Sequence, residues 1–269
     1  ALGNVTSISG STSISGRDLV LDVGGKVGIS TDTDLVTLTA NKVSVAGVHS
    51  ASARIDGFGL RIDTGGTIGT AGESGDGPYH FTEPSDVAVA ANGDVFIADG
   101  HSPDGNNRVA KYSSRGQFLM SWGETGYAPG EFRALHAIAI DPDGRVFVGD
   151  RSNSRIQIFD QEGNHSTTWT QFGRPSGIAF DNEGRIYVAD SESDNIQNPG
   201  YEMGIRIGEY ETGWVKEFIR FPWANPNIIP GNGAEFVTVD LEGNLYGGEP
   251  VPGPHLNQRT LRKYVRVRP

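Results

Sequence analysis

Short apolar runs separated by clusters of Gly, Asp and Asn set the rhythm of this chain. The clearest stretch is FRALHAIAIDPDGRVFVGDRSNSRIQIFDQEGN, residues 132–164. Its pattern predicts a strand over Ala137–Ile140, a tight DPDG turn, and a second strand over Arg145–Gly149. A polar bend, Asp150–Ser154, then leads to a third strand over Arg155–Phe159. Apolar runs bounded by such turn residues are the mark of antiparallel hairpins.

The unit recurs. First-strand copies are LVTLT at 35–39, DVAVA at 86–90, AIAID at 137–141, GIAFD at 177–181 and FVTVD at 236–240. The turns AANGD, DPDGR, DNEGR and DLEGN come next, and then the second strands VFIAD, VFVGD, IYVAD and LYGGE. With one compressed copy ahead of them, these make six units of roughly 45 residues, the length of a four-stranded propeller blade. Helical periodicity is absent, and a sandwich has no need of repeated turn chemistry. The expectation is therefore all-β: one six-bladed β-propeller over 1–269, with blades near 1–31, 32–72, 84–124, 134–170, 175–220 and 234–269. The last copy lacks a clear fourth strand, so residues near Leu2–Ser7 are expected beside it, closing the ring.

Composition narrows the partners. The chain has 22 basic and 33 acidic residues, a formal charge of −11, which argues against nucleic acid or an anionic membrane. There is no cysteine, so disulfides and thiolate metal sites are excluded. No apolar run is long enough to span a bilayer. The chain starts at Ala1 rather than Met, which reads as trimming and leaves secreted or periplasmic residence open.

Turns between strands one and two are short, whereas connections at the other end are long, notably 73–84, 100–107, 191–204, 221–234 and 250–258. Function gathers on long loops held by a rigid frame, so that end is the expected working face. Just before the first strands stand Asp34, Ser85, His136, Ser176 and Glu235. Asp34, His136 and Glu235 come from alternate copies at near-equal spacing, so they can converge near the ring axis and offer a divalent cation one imidazole and two carboxylates. The ends of the second strands add His101, Arg151 and, in SGRD, Arg17. A His there suits proton transfer, and an Arg suits a carboxylate. Tyr79, Tyr127, Tyr201 and Trp223 are candidates for pocket walls.

LHAIAIDPDGRVFVGDRSNSRIQIFDQEG and RPSGIAFDNEGRIYVAD resemble NHL repeats. The longer run from ADGHSPDGNNRVAKY to LHAIAID is similar to the peptidyl-α-hydroxyglycine α-amidating lyases and their bacterial relatives. The resemblance implies a six-bladed propeller, a channel metal (usually zinc) on three His, a catalytic Tyr after Ala-Asp-Gly, and catalytic and pocket Arg residues. His136 matches one metal ligand, Arg17 the catalytic Arg and Arg151 the pocket Arg. Asp34 and Glu235 stand where the other two His would be, and His101 stands at the Tyr position. A zinc ion is expected by resemblance, with calcium or another divalent ion open. The expected function is a lyase, or next a hydrolase, acting on a small polar or carboxylate-bearing substrate, with His101 as acid/base. A non-catalytic NHL module binding a protein or ligand is the alternative. The oligomeric state is left open.

Overall fold

The computed structural model describes residues 68–69, 72–221, 233–248 and 261–267, with the strands of 19–21, 26–27, 36–38, 44–45, 52–56 and 59–63. The chain divides into two compact units, 1–68 and 69–269.

In the first unit the strands are β1 (Leu19–Leu21), β2 (Lys26–Val27), β3 (Val36–Leu38), β4 (Ser44–Val45), β5 (Ser52–Asp56) and β6 (Gly59–Asp63). One sheet has the order β1-β3-β6-β5, and a second pairs β2 with β4. β1 and β3 run parallel, with Leu19 opposite Val36, and β2 and β4 also run parallel, with Lys26 opposite Ser44. The two blades expected over 1–31 and 32–72 fall largely outside the described residues, and the described strands pair both in parallel and antiparallel fashion. Parallel neighbours need a crossover rather than a hairpin.

The second unit is built from blades. The strands β7 (Pro84–Val89), β8 (Val95–Asp99), β9 (Arg108–Tyr112) and β10 (Phe118–Trp122) form the first. The next contains β11 (Leu135–Ile140), β12 (Val146–Asp150), β13 (Arg155–Phe159) and β14 (His165–Trp169). The third comprises β15 (Pro175–Phe180), β16 (Arg185–Asp190), β17 (Gly204–Glu209) and β18 (Val215–Arg220). The last sheet has three described strands, β19 (Phe236–Val239), β20 (Leu245–Gly248) and β21 (Leu261–Tyr264). All pairings in these four sheets are antiparallel. The inner strands β7, β11, β15 and β19 contact one another in series. This is a β-propeller array, with four blades described rather than six. Leu2–Ser7, expected beside the last blade, lie outside the described residues.

Packing between blades is apolar. Ile138, Val146, Val148 and Phe159 bury against Ala90, Phe96, Ala98 and Val109 of the blade before. Ile186 and Val188 bury against Phe147, Ile156 and Ile158, and Val237 and Leu245 against Ala189, Ile205 and Ile207.

Each full blade also carries a buried ionic clasp. Asp99, Asp150 and Asp190 end the second strands and are completely buried. Arg108 Nε meets Asp99 at 3.0 Å, Arg155 Nε meets Asp150 at 2.7 Å, and an Arg206 nitrogen meets Asp190 at 3.0 Å. The other oxygen of each carboxylate takes backbone donors, such as Thr82 N at 2.8 Å on Asp99 and Arg133 N at 2.8 Å on Asp150. Arg155 donates onward to the carbonyls of Tyr127, Ala128 and Glu131, as Arg108 does to those of Asp76, Gly77 and His80. One residue thus ties two strand ends to the loop that enters the blade. At Gly173, where φ is +80°, a Cβ would sit 2.0 Å from Asp190 Oδ2, so the third clasp requires glycine there.

Removing one partner of such a clasp strands the other charge in the interior. Arg155→Ala is expected to lower unfolding free energy by about 3–5 kcal/mol, read by denaturant titration. A loss below about 1 kcal/mol, the range of exposed pairs, would show the clasp to be dispensable.

Candidate functional site at the inner strand ends

Register irregularities fall at the start of each full inner strand: between Pro84 and Asp86, Leu135 and Ala137, and Pro175 and Gly177. Ser85, His136 and Ser176 are therefore bulge residues inside the strands, which begin two residues earlier than the starts read from the sequence. A bulge re-aims a side chain out of the ladder. Glu235 stands immediately before β19, its N–H bound to the Gly248 carbonyl at 2.8 Å.

Two of the three residues expected on the axis meet. His136 Nε2 lies 3.2 Å from Glu235 Oε2, although they belong to alternate blades. Between them, His136 Nδ1 contacts the Ser176 carbonyl at 2.9 Å, and the Ser176 and Ser191 hydroxyls share a 2.5 Å hydrogen bond. A carbonyl can only accept, so Nδ1 carries the proton and Nε2 presents a lone pair. It presents that lone pair to a carboxylate oxygen that is buried without a hydrogen-bond partner. Burial, reinforced by the Arg151 charge, pushes the His136 imidazole down to about 4. Burial pushes the Glu235 carboxyl up, against the pull of Arg151. Two lone pairs in this position need a shared proton or a cation.

The spacing fits a cation. Donors about 2.1 Å from one tetrahedral ion stand about 3.4 Å apart. Imidazole and carboxylate suit zinc, and a more oxygen-rich set would suit a harder ion. Asp34, the expected third ligand, lies outside the described residues, as does Arg17. Among the described residues no group of three His, Asp or Glu could hold a metal by itself.

Beside this pair opens a cleft of about 570 Å³, lined by His101, Arg151, Arg174, Glu192, Asp194 and Gln197 among others. Its walls come from the strand-two-to-three connections of three blades and, with Ala134 and Arg174, from the connections that enter two of them, the face on which the sequence places the long loops. The exposed ring of His101 rests on His136, centroids 4.8 Å apart. Arg151 is buried, and its ion-pair partner is Glu192 of the next blade at 3.3 Å. Within its own bend the salt bridge belongs to Arg155 instead. Arg174, also buried, reaches the other Glu192 oxygen at 2.9 Å. Burial alone would raise the Glu192 carboxyl, but Arg151 and Arg174 hold it low. One carboxylate thus serves two guanidinium groups, and Nε of both arginines is buried without a partner.

Arg174 and Glu192 escaped the sequence reading, although a signal existed. Aligned on the clasp aspartates, Glu192 occupies the position of His101, two residues past the second strand. The aromatic expectation fares less well. Tyr79 packs on Tyr112, Tyr127 on Arg133, and Tyr201 on Arg206 with its hydroxyl donating to the Thr170 carbonyl. These three hold their own loops, because a ring near a strand end finds an Arg or aromatic neighbour before it reaches the cleft. Trp223 lies outside the described residues.

Residues 132–159 and 172–197 match the NHL repeat, and they fall in the second and third antiparallel blades described above. The chain is homologous to NHL repeat-containing protein 3 of Homo sapiens, 40% identical over 107 residues, which cover 39% of this chain and 30% of that protein. It is also homologous to peptidyl-alpha-hydroxyglycine alpha-amidating lyase 1 of Drosophila melanogaster, 37% identical over 102 residues, 35% of this chain and 18% of that one. The match spans less than a third of these relatives' own length. Among solved structures, hydrazine synthase of Kuenenia stuttgartiensis superposes with a TM-score of 0.49 at 16% identity, over 70% of this chain and 47% of that one.

In chelator-treated protein the His136 ring is expected to stay in its Nδ1–H neutral form down to about pH 4, read by nitrogen NMR. Its ordinary value in the unfolded chain is about 6.5. A lowered folded value means the unfolded state binds the proton first. The ring's contribution to stability is therefore present above about pH 6.5 and lost as pH falls toward 4. A ring that titrates near 6.5 in the folded protein would overturn this assignment.

Proposed function

We propose that this propeller is an enzyme, a lyase before a hydrolase, acting on a small carboxylate-bearing substrate in the cleft beside His136. The observation that carries the reading is the meeting of an exposed imidazole, His101, with two buried guanidiniums, Arg151 and Arg174, that share a single counter-ion. A substrate carboxylate replaces or joins Glu192 against those two groups, where a forked pairing fixes its plane. Homology to an amidating lyase supports the class.

For a lyase of this kind the bond broken is C–N, at a carbon that also bears a hydroxyl. His101 takes the hydroxyl proton, and the O–H electrons become the new C=O bond. The C–N pair leaves with nitrogen, to which the same ring returns the proton. His136 and Glu235, with Asp34 as third ligand, would hold a divalent cation, zinc first. Bound there, such a cation polarises a substrate oxygen. Arg17 remains a candidate for a further contact to the substrate anion.

A second reading, a propeller that binds a carboxylate ligand without turning it over, draws on Glu192. A carboxylate already seated on both arginines is what a simple exchange site would contain.

The test is turnover against a panel of N-acylated α-hydroxyglycines and related carboxylate-bearing substrates. His101→Ala is expected to lower kcat by about 10²–10⁴-fold with an unchanged circular dichroism spectrum. Arg174→Ala is expected chiefly to raise KM. Undiminished kcat in folded His101→Ala would remove that ring from the chemistry. Saturable binding with no turnover by the wild type would favour the second reading. Calorimetric titration with zinc should show one site, lost in His136→Ala. Identical isotherms for the two proteins would eliminate the cation site.

A further inference from the structure

Two neighbouring asparagines close the loop that carries His101, and they bind different blades. Asn106 Nδ2 donates to Asp99 Oδ2 and to the Gly75 carbonyl, each at 2.7 Å, so it belongs to the clasp of its own blade. Asn107 is completely buried and turns the other way. Its Oδ1 accepts the Ala134 N–H at 2.8 Å. Its Nδ2 faces Thr125 Oγ1 and the Gly105 carbonyl at 3.0 Å, and the carbonyls of Pro103 and Ser102 at 3.1 and 3.4 Å. Thr125 and Ala134 lie on the loop that enters the second described blade, and Ala134 stands two residues ahead of His136. A single amide thus gathers the 100–107 loop and fixes it to the backbone that delivers His136.

The loop is shaped to meet that amide. At Gly100, where φ is +135°, a Cβ would stand 2.4 Å from Asn107 N, so the two ends of the loop touch. The N–H groups of His101 and Gly100 both donate to the Glu83 carbonyl, at 2.9 and 3.1 Å. The His101 backbone is thereby held to the first blade while the loop behind it is held to the second. Asn107 has φ +50°, a left-handed backbone that Asn tolerates. That backbone alone does not call for Asn, because Ser154 stands before the second clasp arginine at φ +53°. The described contact of the exposed His101 ring is its stack on His136, with centroids 4.8 Å apart. Such a ring takes its place from the backbone that carries it. We infer that Asn107 is a positioning residue: its amide sets the His101 ring on His136 across the boundary between two blades. The consequence for catalysis rests on the reading of His101 as acid/base, whereas the placement of the ring does not.

The experiment is proton NMR on the full chain with labelled histidine, which reads nuclear Overhauser contacts between the two rings without substrate or metal. Asn107→Gly removes the amide and leaves a backbone free to keep φ near +50°. The wild type is expected to show the cross-ring contacts and Asn107→Gly to lose them, with the circular dichroism spectrum unchanged. Thr125→Val removes one acceptor at an exposed position and is expected to weaken the contacts in the same direction. It carries the test should Asn107→Gly fail to fold. In turnover, Asn107→Gly is expected to lower kcat by about 10²-fold, the cost of a misplacement near 1 Å, with little change in KM. Added to His101→Ala, it is expected to lower kcat no further, because the two act as one unit. Unchanged cross-ring contacts in every variant that folds would overturn the proposal, as would their absence from the wild type. Equal losses of kcat in the wild-type and His101→Ala backgrounds would make Asn107 a purely structural residue and overturn its positioning role. Lost contacts with undiminished kcat would confirm the placement and count against His101 as acid/base. A wild type that turns nothing over would count against the proposed reaction alone, and the ring contacts would still decide this inference.

Discussion

A buried carboxylate clasped by an arginine is the constraint on which this array depends. Asp99, Asp150 and Asp190 have no access to water, and each must find all its donors within its own blade. Arg108, Arg155 and Arg206 supply them at 2.7–3.0 Å. An uncompensated charge there would cost several kcal/mol, so the strand end, the third strand and the entering loop are fixed as one unit. The apolar contacts between blades set how the sheets stack. The clasps set where each second strand stops, and so where the variable loops begin.

The candidate site is assembled from the residues just past those stops. One and two residues beyond the clasp aspartates, the blades diverge: Gly100 and His101, Arg151 and Ser152, Ser191 and Glu192. Equivalent positions in neighbouring blades thus bring an imidazole, a guanidinium and a carboxylate to one cleft. The bulges at the inner strand starts add His136 and the Ser176 carbonyl that fixes its tautomer. Crowding sets the electrostatics. Burial, and after it Arg151, depresses His136, and Glu192 is held ionised by two guanidiniums that it cannot fully neutralise.

The last four blades were legible because their turn residues are chemically specific. Gly three residues past the turn start recurs in AANGD, DPDGR, DNEGR and DLEGN, with Asp at the start of the last three, and the turns close as read, with Gly144 N on the Asp141 carbonyl and Gly243 N on that of Asp240. The first 72 residues carry no such turn chemistry, and the apolar runs LVLDV and LVTLT by themselves hold no information about strand direction or partner. In the site, His136 and Glu235 came from aligning repeats. Arg174 lies just ahead of a strand, on no repeated position that announces chemistry, and only its distance to Glu192 marks it.

What the sequence determined by itself is the β class, the blade rhythm from residue 84 onward, and the end of the array that carries the long loops. These rest on local rules: turn chemistry, alternation and loop length. Only the tertiary structure decided that His136 meets Glu235 at 3.2 Å and that Arg151 turns to Glu192 rather than to its own bend. The physical reason is that each of these depends on which blade lies next to which. That adjacency is a property of packed faces and their shared burial, and no window of sequence contains it.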